Sequence, residues 1–189
     1  MKYALLFLFF TTIFSCSNSS TANSKENNHR VDGVVLPLPK EFKKVIGERT
    51  LEGIPPLRNK VTIKESASRT HLLNEKEGKL LAIVQLEALN RRVEIEGKNY
   101  HDLISNIEYI NRSYSAKGMN TIIIEKEVES KIDPKYFKVK NLITIPEQDT
   151  FTMTQYYVTN NFKSASVVVW NIDQDGNDLE EYIRRILLF

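Results

Sequence analysis

The spacing of apolar residues predicts two helices in the chain. Between Tyr100 and about Lys117, apolar side chains recur every three or four residues, at Leu103, Ile107, Ile110 and Tyr114. This spacing places them along one face of an α-helix. The C-terminal segment has a similar stripe, made of Leu179, Tyr182, Ile183, Ile186 and Leu187. We therefore expect a central helix and a C-terminal helix, each with one side packed on the core.

Much of the remaining chain alternates between apolar and polar residues or is dense in β-branched residues, as strands are. The predicted strands are Val31–Leu36, Val61–Lys64, Leu80–Leu89, Thr121–Val128, Phe137–Ile145, Phe151–Tyr157 and Ser164–Asn171. Asn160 and Asn161 indicate a hairpin turn between the last two. Gly47–Asn59 and Ser66–Gly78 are rich in turn-forming or polar residues and are predicted to be loops. The order predicts an α+β protein, an antiparallel β-sheet covered by the central and C-terminal helices in α/β/α layers.

The N-terminus has the pattern of an export signal. Lys2 is followed by an apolar run from Tyr3 to Phe14. As a helix this run spans roughly 18 Å, well short of the ~30 Å hydrocarbon core of a bilayer. We interpret residues 1–15 as a signal peptide that is cleaved from the mature protein.

The only cysteine, Cys16, stands at the end of this signal in the sequence Ile13-Phe14-Ser15-Cys16. This motif resembles the lipobox of bacterial lipoproteins. The resemblance implies that Cys16 is diacylated and anchors the protein to the membrane of the cell envelope. Enterobacterial lipoproteins that are retained in the inner membrane carry Asp directly after this cysteine. By resemblance to that rule, Ser17 at this position implies that the protein is anchored in the outer membrane and faces the periplasm. Residues 16–30 hold no large apolar side chain and are predicted to form a flexible tether, which leaves one domain over residues 31–189.

The order of elements in this domain resembles the fold shared by the PsbP proteins of photosystem II, the Mog-type Ran-binding proteins and the bacterial DcrB-like lipoproteins. The resemblance rests on an opening segment with two prolines (Val34–Phe42), a strand before the central helix (Leu81–Val84), and the ending strand, strand and helix, with sequences Phe151–Tyr157, Val167–Trp170 and Ile183–Leu187. Members of this fold are mostly non-enzymatic binding or assembly proteins. The resemblance therefore implies a binding function.

Charge and motifs exclude several other functions. The chain has 26 basic and 24 acidic residues, so its net charge offers no attraction for nucleic acid. His29, His71 and His101 show no metal-ligand spacing, and neither an elbow-type nucleophile motif nor a phosphate-binding glycine loop occurs. We expect no catalytic residues, no cofactor and no metal site.

One acidic loop is a weak calcium candidate. Asp173, Asp175 and Asp178 alternate as calcium ligands do, but position twelve of an EF-hand loop counted from Asn171 is Tyr182 instead of the required Glu. We interpret this loop as a solvated turn in which Asp178 caps the C-terminal helix.

Aromatic residues late in the chain are the candidate binding surface. Tyr156 and Tyr157 are adjacent in a predicted strand, so their rings point to opposite faces of the sheet. With Trp170 they form a candidate surface for a partner or ligand. Our first hypothesis is a lipid-anchored envelope protein that binds a protein partner or assists assembly. The alternative is a periplasmic carrier or sensor of a small apolar ligand.

Overall fold

The structure is a computed structural model, and it describes residues 25–52, 60–95, 98–116, 118–146, 150–172 and 179–189, with the backbone alone for residues 98–100. In chain order, the strands are β1 (Glu26–Val31), β2 (Val34–Pro39), β3 (Phe42–Lys44), β4 (Glu48–Leu51), β5 (Val61–Lys64), β6 (Arg69–Lys76), β7 (Lys79–Leu89), β8 (Asn120–Glu129), β9 (Lys135–Thr144), β10 (Thr150–Thr159), β11 (Ser164–Asn171) and β12 (Leu187–Leu188). The helices are α1 (Lys98–Ser115) and α2 (Glu180–Ile183).

A seven-stranded sheet forms the centre of the domain, in the order β3-β6-β7-β11-β10-β9-β8. Every neighbouring pair in it is antiparallel. A second sheet, β1-β2-β12, and a separate hairpin, β4-β5, complete the strands. The predicted run of four strands, β8 to β11, and the predicted central helix are confirmed. The Asn160 turn is confirmed as well, since its side-chain Oδ1 accepts hydrogen bonds from the backbone N–H groups of Phe162 and Lys163.

The two faces of the seven-stranded sheet are covered by different elements. The first face packs against the β1-β2-β12 sheet and the segment Leu179–Phe189 in one continuous apolar cluster, which includes Leu36, Leu72, Val84, Val167, Tyr156 and Ile183. The second face packs against the β4-β5 hairpin at one side and α1 at the other. Its apolar residues form three smaller clusters, represented by Ile83 under the hairpin and by Met153 and Phe137 towards α1.

The predicted fold class is wrong in its account of the sheet's cover. The protein is mostly β-sheet, with one long helix and one helix of four residues, and it is not a sheet covered by two helices. Of the predicted C-terminal stripe, Leu179, Ile183 and Ile186 are buried in the first-face cluster and Tyr182 packs against it, whereas Leu187 is 53% exposed. The helix nevertheless ends at Ile183, and Leu187–Leu188 continues as a strand paired with β2.

Pairing with β2 explains why the chain leaves the helical conformation there. Phe189 N–H donates to the carbonyl of Gly33, in the turn between β1 and β2. Asp32 and Gly33 both have positive φ, as a two-residue hairpin turn requires. A Cβ atom at Gly33 would lie 2.8 Å from the Phe189 carbonyl oxygen. The glycine thus allows the C-terminus to approach the turn closely, and the hydrogen bonds of β12 replace those of a longer helix.

Three further boundaries differ from the prediction. The tether was predicted to extend to Arg30, but Glu26–Val31 forms β1 and pairs along its length with β2. The predicted loop Ser66–Gly78 contains β6, an interior strand of the main sheet, and the predicted loop Gly47–Asn59 begins with β4. Among the described residues, no helix combines the length and the apolarity needed to cross a membrane.

Candidate functional site

An open groove of about 420 Å³ lies on the second face, between the β4-β5 hairpin and α1. Leu51, Val61 and Ile63 of the hairpin line one wall, and Tyr114 near the end of α1 lines the other. The floor is the main sheet itself. Ile83 on β7 and Trp170 on β11 are directly paired neighbours there. The groove lies where the hairpin and α1 cover opposite sides of the second face.

Trp170 is the aromatic centre of this floor. It is half-buried and packs against both the cluster under the hairpin and the cluster towards α1. Its indole N–H is hydrogen-bonded to Tyr114 Oη, which also lies 3.8 Å from the sulfur of Met153. Burial raises the pKa of Tyr114, the opposing effect of the indole bond being smaller. The indole is therefore held in place while part of its ring lies open to the groove.

A chain of polar side chains crosses the floor between β6 and β7. Arg69 Nη2 donates to Glu87 Oε1 at 2.7 Å, and Gln85 Nε2 donates to Glu87 Oε2 at 3.4 Å. Gln85 Oε1 lies 3.3 Å from Nε2 of His71. The strand register places Arg69 opposite Glu87 and His71 opposite Gln85. Because the carboxylate accepts from the Gln85 amide nitrogen, the amide oxygen faces His71 and accepts the proton on its Nε2.

Within this network of polar side chains, His71 is the residue whose hydrogen bonding is incomplete. It is 8% exposed and lines the groove. Its Nδ1 is buried and has no hydrogen-bond partner among the described residues. Burial lowers the pKa of His71 below its usual value, more than the hydrogen bond to Gln85 raises it. The imidazole is therefore neutral at pH 7, and its buried Nδ1 is an acceptor without a partner among the described residues, which costs about 1–3 kcal/mol.

A second polar cluster lies on the first face and has no such deficiency. Lys138 is 6% exposed, and its Nζ lies 2.6 Å from Glu125 and 2.5 Å from Glu180. Glu127 lies 3.8 Å from the same Nζ, and Arg184 bridges Glu127 to Glu180. The three carboxylates are close enough together to hold a cation. The Lys138 ammonium already occupies that position, so this cluster fastens α2 to β8 and β9.

The ionisation of this cluster follows from its hydrogen bonds. Burial alone lowers the pKa of Lys138, but its bonds to Glu125 and Glu180 raise that pKa above the ordinary value. Burial likewise raises the pKa of Glu180, and bonds from Lys138 and Arg184 bring it below the ordinary value. Both groups are therefore charged at pH 7.

The predicted aromatic surface is divided between the two faces. Tyr156 is buried in the first-face cluster, edge-on to Tyr136 at 6.5 Å. Tyr157 points to the opposite face, packs towards α1 and accepts a hydrogen bond from Gln155 at 2.8 Å. Of the three predicted residues, Trp170 alone lines the groove. Cys16 and the acidic residues Asp173, Asp175 and Asp178 lie outside the described residues.

The sequence did not indicate the other groove residues. His71 was set aside because no other histidine stands at ligand spacing from it, and its strand was predicted to be a loop. The available signal was the pair Leu72-Leu73 inside that supposed loop. These residues are buried in opposite faces of the sheet, as adjacent apolar residues in an interior strand are.

Comparison with known proteins gives a result for the fold. No protein-family model matches the chain, and no curated protein sequence matches it. The structure is similar to the solution structure of cyanobacterial PsbP (CyanoP) from Synechocystis sp. PCC 6803, with a TM-score of 0.57. The alignment covers 94% of this chain and 99% of that chain at 9% sequence identity. The domain has a PsbP-like fold, in agreement with the resemblance in element order.

Proposed function

We propose that this protein is a non-catalytic, lipid-anchored protein of the bacterial cell envelope that binds a protein partner in the groove beside Trp170. The observation that carries the proposal is the groove itself, which has aliphatic walls and a partly open indole fixed on its floor. Such aromatic residues in partly desolvated depressions are where protein interfaces concentrate their binding energy. The members of the fold that the sequence resembles are mostly binding or assembly proteins, which supports the same reading.

The chemistry of the groove also favours binding over catalysis. His71 is bonded to an amide, Gln85, and the carboxylate of Glu87 is engaged by Arg69. A general base that works on a nucleophile needs that nucleophile within hydrogen-bond reach. The polar groups of the floor instead bond one another, which is an arrangement that fixes the shape of a surface.

Site-specific photocrosslinking in living cells tests this proposal. A photoreactive phenylalanine analogue replaces Thr62, an exposed residue of the groove wall, in the full-length chain. The matched control carries the analogue at Arg30, which is exposed on β1, in the layer that covers the opposite face. We expect one discrete protein adduct from position 62 and none from position 30. Adducts from position 30 only, or identical adducts from both positions, would contradict groove binding.

The lipid anchor is a separate part of the proposal. Cys16 is the only thiol of the chain and stands where the apolar signal ends. Two acyl chains on one residue give stable membrane attachment, whereas one chain gives marginal attachment. We predict that Cys16→Ser abolishes fatty-acid labelling and leaves the precursor unprocessed, and that the acylated parent fractionates with the outer membrane. Labelling that persists in the variant, or a mature N-terminus elsewhere, would remove this part of the proposal.

A carrier of a small apolar ligand is the second candidate, and the groove volume is what favours it. About 420 Å³ falls within the ~300–1,000 Å³ typical of small-molecule pockets. Mass spectrometry of organic extracts from the purified full-length protein tests this candidate. A carrier yields one enriched apolar molecule from the parent and from Phe162→Ala, whose side chain is exposed outside the groove. It yields none from Trp170→Ala.

A further inference from the structure

One wall of the groove is the free edge of a strand. β5 pairs with β4 on one side and, within the described ranges, with no strand on the other. All of its residues, from Val61 to Lys64, line the groove. Because side chains alternate along a strand, an unbroken run of lining residues indicates that a groove runs along the strand's backbone. The groove therefore follows the edge of β5 that faces away from β4.

The hydrogen bonds of the hairpin determine which backbone groups face this edge. Glu65 N–H donates to the Gly47 carbonyl at 3.0 Å. Hydrogen-bonded and non-hydrogen-bonded pairs alternate along an antiparallel ladder. Counted from this bond, Thr62 and Lys64 belong to pairs of the second kind. The 3.2 Å distance between the hydroxyl oxygens of Thr50 and Thr62 agrees with this assignment, because side chains approach most closely in such pairs.

The backbone N–H and C=O groups of Thr62 and Lys64 consequently point away from β4 and towards the groove. They have no hydrogen-bond partner among the described residues. Val61 and Ile63 pack on the main sheet, so the side chains of Thr62 and Lys64 stand on the other side of the hairpin, at the rim of the groove. Both rim residues are exposed. An unpaired strand edge of this kind is a template for the backbone of another extended chain.

The floor suits the side chains of such an added strand. Ile83 and Trp170 are paired neighbours on β7 and β11, and both line the groove. A strand paired with β5 lies about 4.8 Å from it. It directs every second side chain towards the floor and the others towards water. Apolar residues at the inward positions would cover the open part of the indole.

The charges that line the groove favour an acidic residue in the occupant. Arg69 is already engaged by Glu87 at 2.7 Å. Lys64 forms no ion pair among the described residues, although Glu48 lies opposite it on β4. The Lys64 ammonium is therefore available to a carboxylate of the occupant. Charge complementarity of this kind fixes the register of an interface.

We propose that the partner enters the groove as an extended strand that pairs with the free edge of β5. Its backbone bonds to Thr62 and Lys64, its apolar side chains alternate onto Ile83 and Trp170, and an acidic side chain lies beside the Lys64 ammonium. This inference rests on the proposed function in that it takes a partner protein to be the occupant. It adds the conformation of the bound segment and its pattern of residues.

Nuclear magnetic resonance of the full-length, isotope-labelled protein in detergent micelles tests the pairing. The probe is a short capped peptide in which leucine and threonine alternate between two terminal glutamates. Two matched peptides carry N-methyl groups on every leucine amide or on every threonine amide, so each lacks the donors of one strand edge. The amide protons of Thr62 and Lys64 report on the free edge. Those of Val61 and Ile63, which face β4, are the internal control.

We expect the probe to shift the amide protons of Thr62 and Lys64 downfield and to slow their exchange with water, with much smaller changes at Val61 and Ile63. The indole resonance of Trp170, the only tryptophan of the chain, should shift with them. One of the two methylated peptides should bind at least about tenfold more weakly, because it lacks the donors that face β5, and the other should bind nearly as well as the probe.

Several results would overturn the inference. They are the absence of binding at millimolar probe, equal shifts at the amides of residues 61 to 64, and equal losses of affinity for the two methylated peptides. Shifts at Thr62 and Lys64 that appear when the protein is concentrated without peptide would assign this edge to a second copy of the chain, and would overturn it as well.

A second peptide, with glutamine in place of both glutamates, tests the charge at the rim. We expect it to bind about two- to fivefold more weakly than the probe, the usual strength of an exposed ion pair. Lys64→Gln should abolish this difference. Lys60→Gln is the matched control and should preserve it, because Lys60 is already paired with Glu52 at 2.6 Å. A preference for glutamate that survives in Lys64→Gln would contradict the role assigned to that lysine.

The two proposals fail in distinguishable ways. If no adduct forms at position 62 in cells while the peptide pairs with Thr62 and Lys64, the partner proposal fails and the free edge stands as a site for extended chains. If an adduct forms but the peptide does not pair with this edge, the partner proposal stands and the inference about strand pairing is wrong.

Discussion

The two faces of the seven-stranded sheet are closed in different ways. On the first face, one apolar cluster runs through the β1-β2-β12 sheet and the C-terminal segment, and three carboxylates surround the buried Lys138. On the second face, a hairpin and a helix cover opposite sides and leave a groove with the half-buried indole of Trp170 on its floor. The continuous apolar burial on the first face serves stability. The half-open indole on the second face leaves apolar surface that a binding partner could cover, and we therefore propose folding as the role of the first face and recognition as the role of the second.

The largest effect is expected from removing the C-terminal segment from Leu179 onwards. This deletion takes Ile183, Ile186 and Leu188 out of the first-face cluster and leaves β2 without its partner β12. Burial of each such side chain is worth roughly 1.5–3 kcal/mol, and their sum approaches the whole stability of a domain. We predict an insoluble or non-cooperatively melting product. A deletion variant that stays monomeric and melts cooperatively near the parent temperature would show that this segment is peripheral.

Lys138→Ala should have the next largest effect, because it removes the buried cation shared by Glu125, Glu127 and Glu180 and leaves only Arg184 beside two of them. Since these carboxylates are partly exposed, we expect a loss of about 3 kcal/mol, the lower end of the range for breaking a buried ion pair. Chemical unfolding followed by circular dichroism measures this loss, and Lys64→Ala, an exposed lysine on the groove rim, is the matched control with a change within about 0.5 kcal/mol.

The effect of Lys138→Ala depends on pH in a defined direction. In the parent, the lowered pKa of Glu180 means that its contribution is present above its unfolded-state pKa and is lost as the pH falls through the folded-state value. In the variant, protonation relieves the repulsion among the carboxylates. The difference in stability between parent and variant should therefore shrink in acid. A difference that is independent of pH would contradict the electrostatic account of this cluster.

A pair of apolar truncations compares the packing of the two faces directly. Ile183→Ala removes a side chain that is 1% exposed in the first-face cluster, and should cost about 2–5 kcal/mol. Val61→Ala removes a half-buried side chain of the groove wall, and should cost less than about 1 kcal/mol because solvent already reaches it. Equal losses of unfolding free energy would show that the second face is packed as tightly as the first.

How much of this could be predicted depended on whether the signal was local. The central helix and strands β8 to β10 followed from periodicity, which is visible in residues such as Phe137 and Val139, and β11 followed from its density of β-branched residues. Strand β6 was missed because polar residues interrupt its apolar pattern. Leu72 and Leu73 bury on opposite faces, and Thr70, His71 and Asn74 are buried polar residues, so polarity indicated a loop where tertiary structure makes a strand.

The C-terminal helix was predicted wrongly and the groove was not predicted, because both depend on contacts between segments that are distant in sequence. The apolar stripe of the last segment predicted the burial of Leu179, Ile183 and Ile186, but Leu187 is exposed, and pairing with β2 and Gly33 decided the conformation of the segment. The groove is built from β4 to β7, α1 and β11, elements that no local pattern brings together. Trp170 was predicted as a surface aromatic from its residue type. The hydrogen bonding of His71 depends on Gln85 and Glu87, which lie on the neighbouring strand.

The most direct test of recognition by the second face is the affinity of the full-length protein for the partner segment identified by crosslinking. Trp170→Ala removes the floor of the groove, and Thr62→Arg obstructs it from an exposed position on its wall. Phe162→Ala is the control, because Phe162 is an aromatic residue 85% exposed that does not line the groove. We predict at least a tenfold rise in Kd for both groove variants, as for the central residues of other interfaces, and an unchanged Kd for Phe162→Ala. Unchanged binding by Trp170→Ala and Thr62→Arg, with loss in Phe162→Ala, would place the interface outside the groove and contradict the division of roles between the two faces.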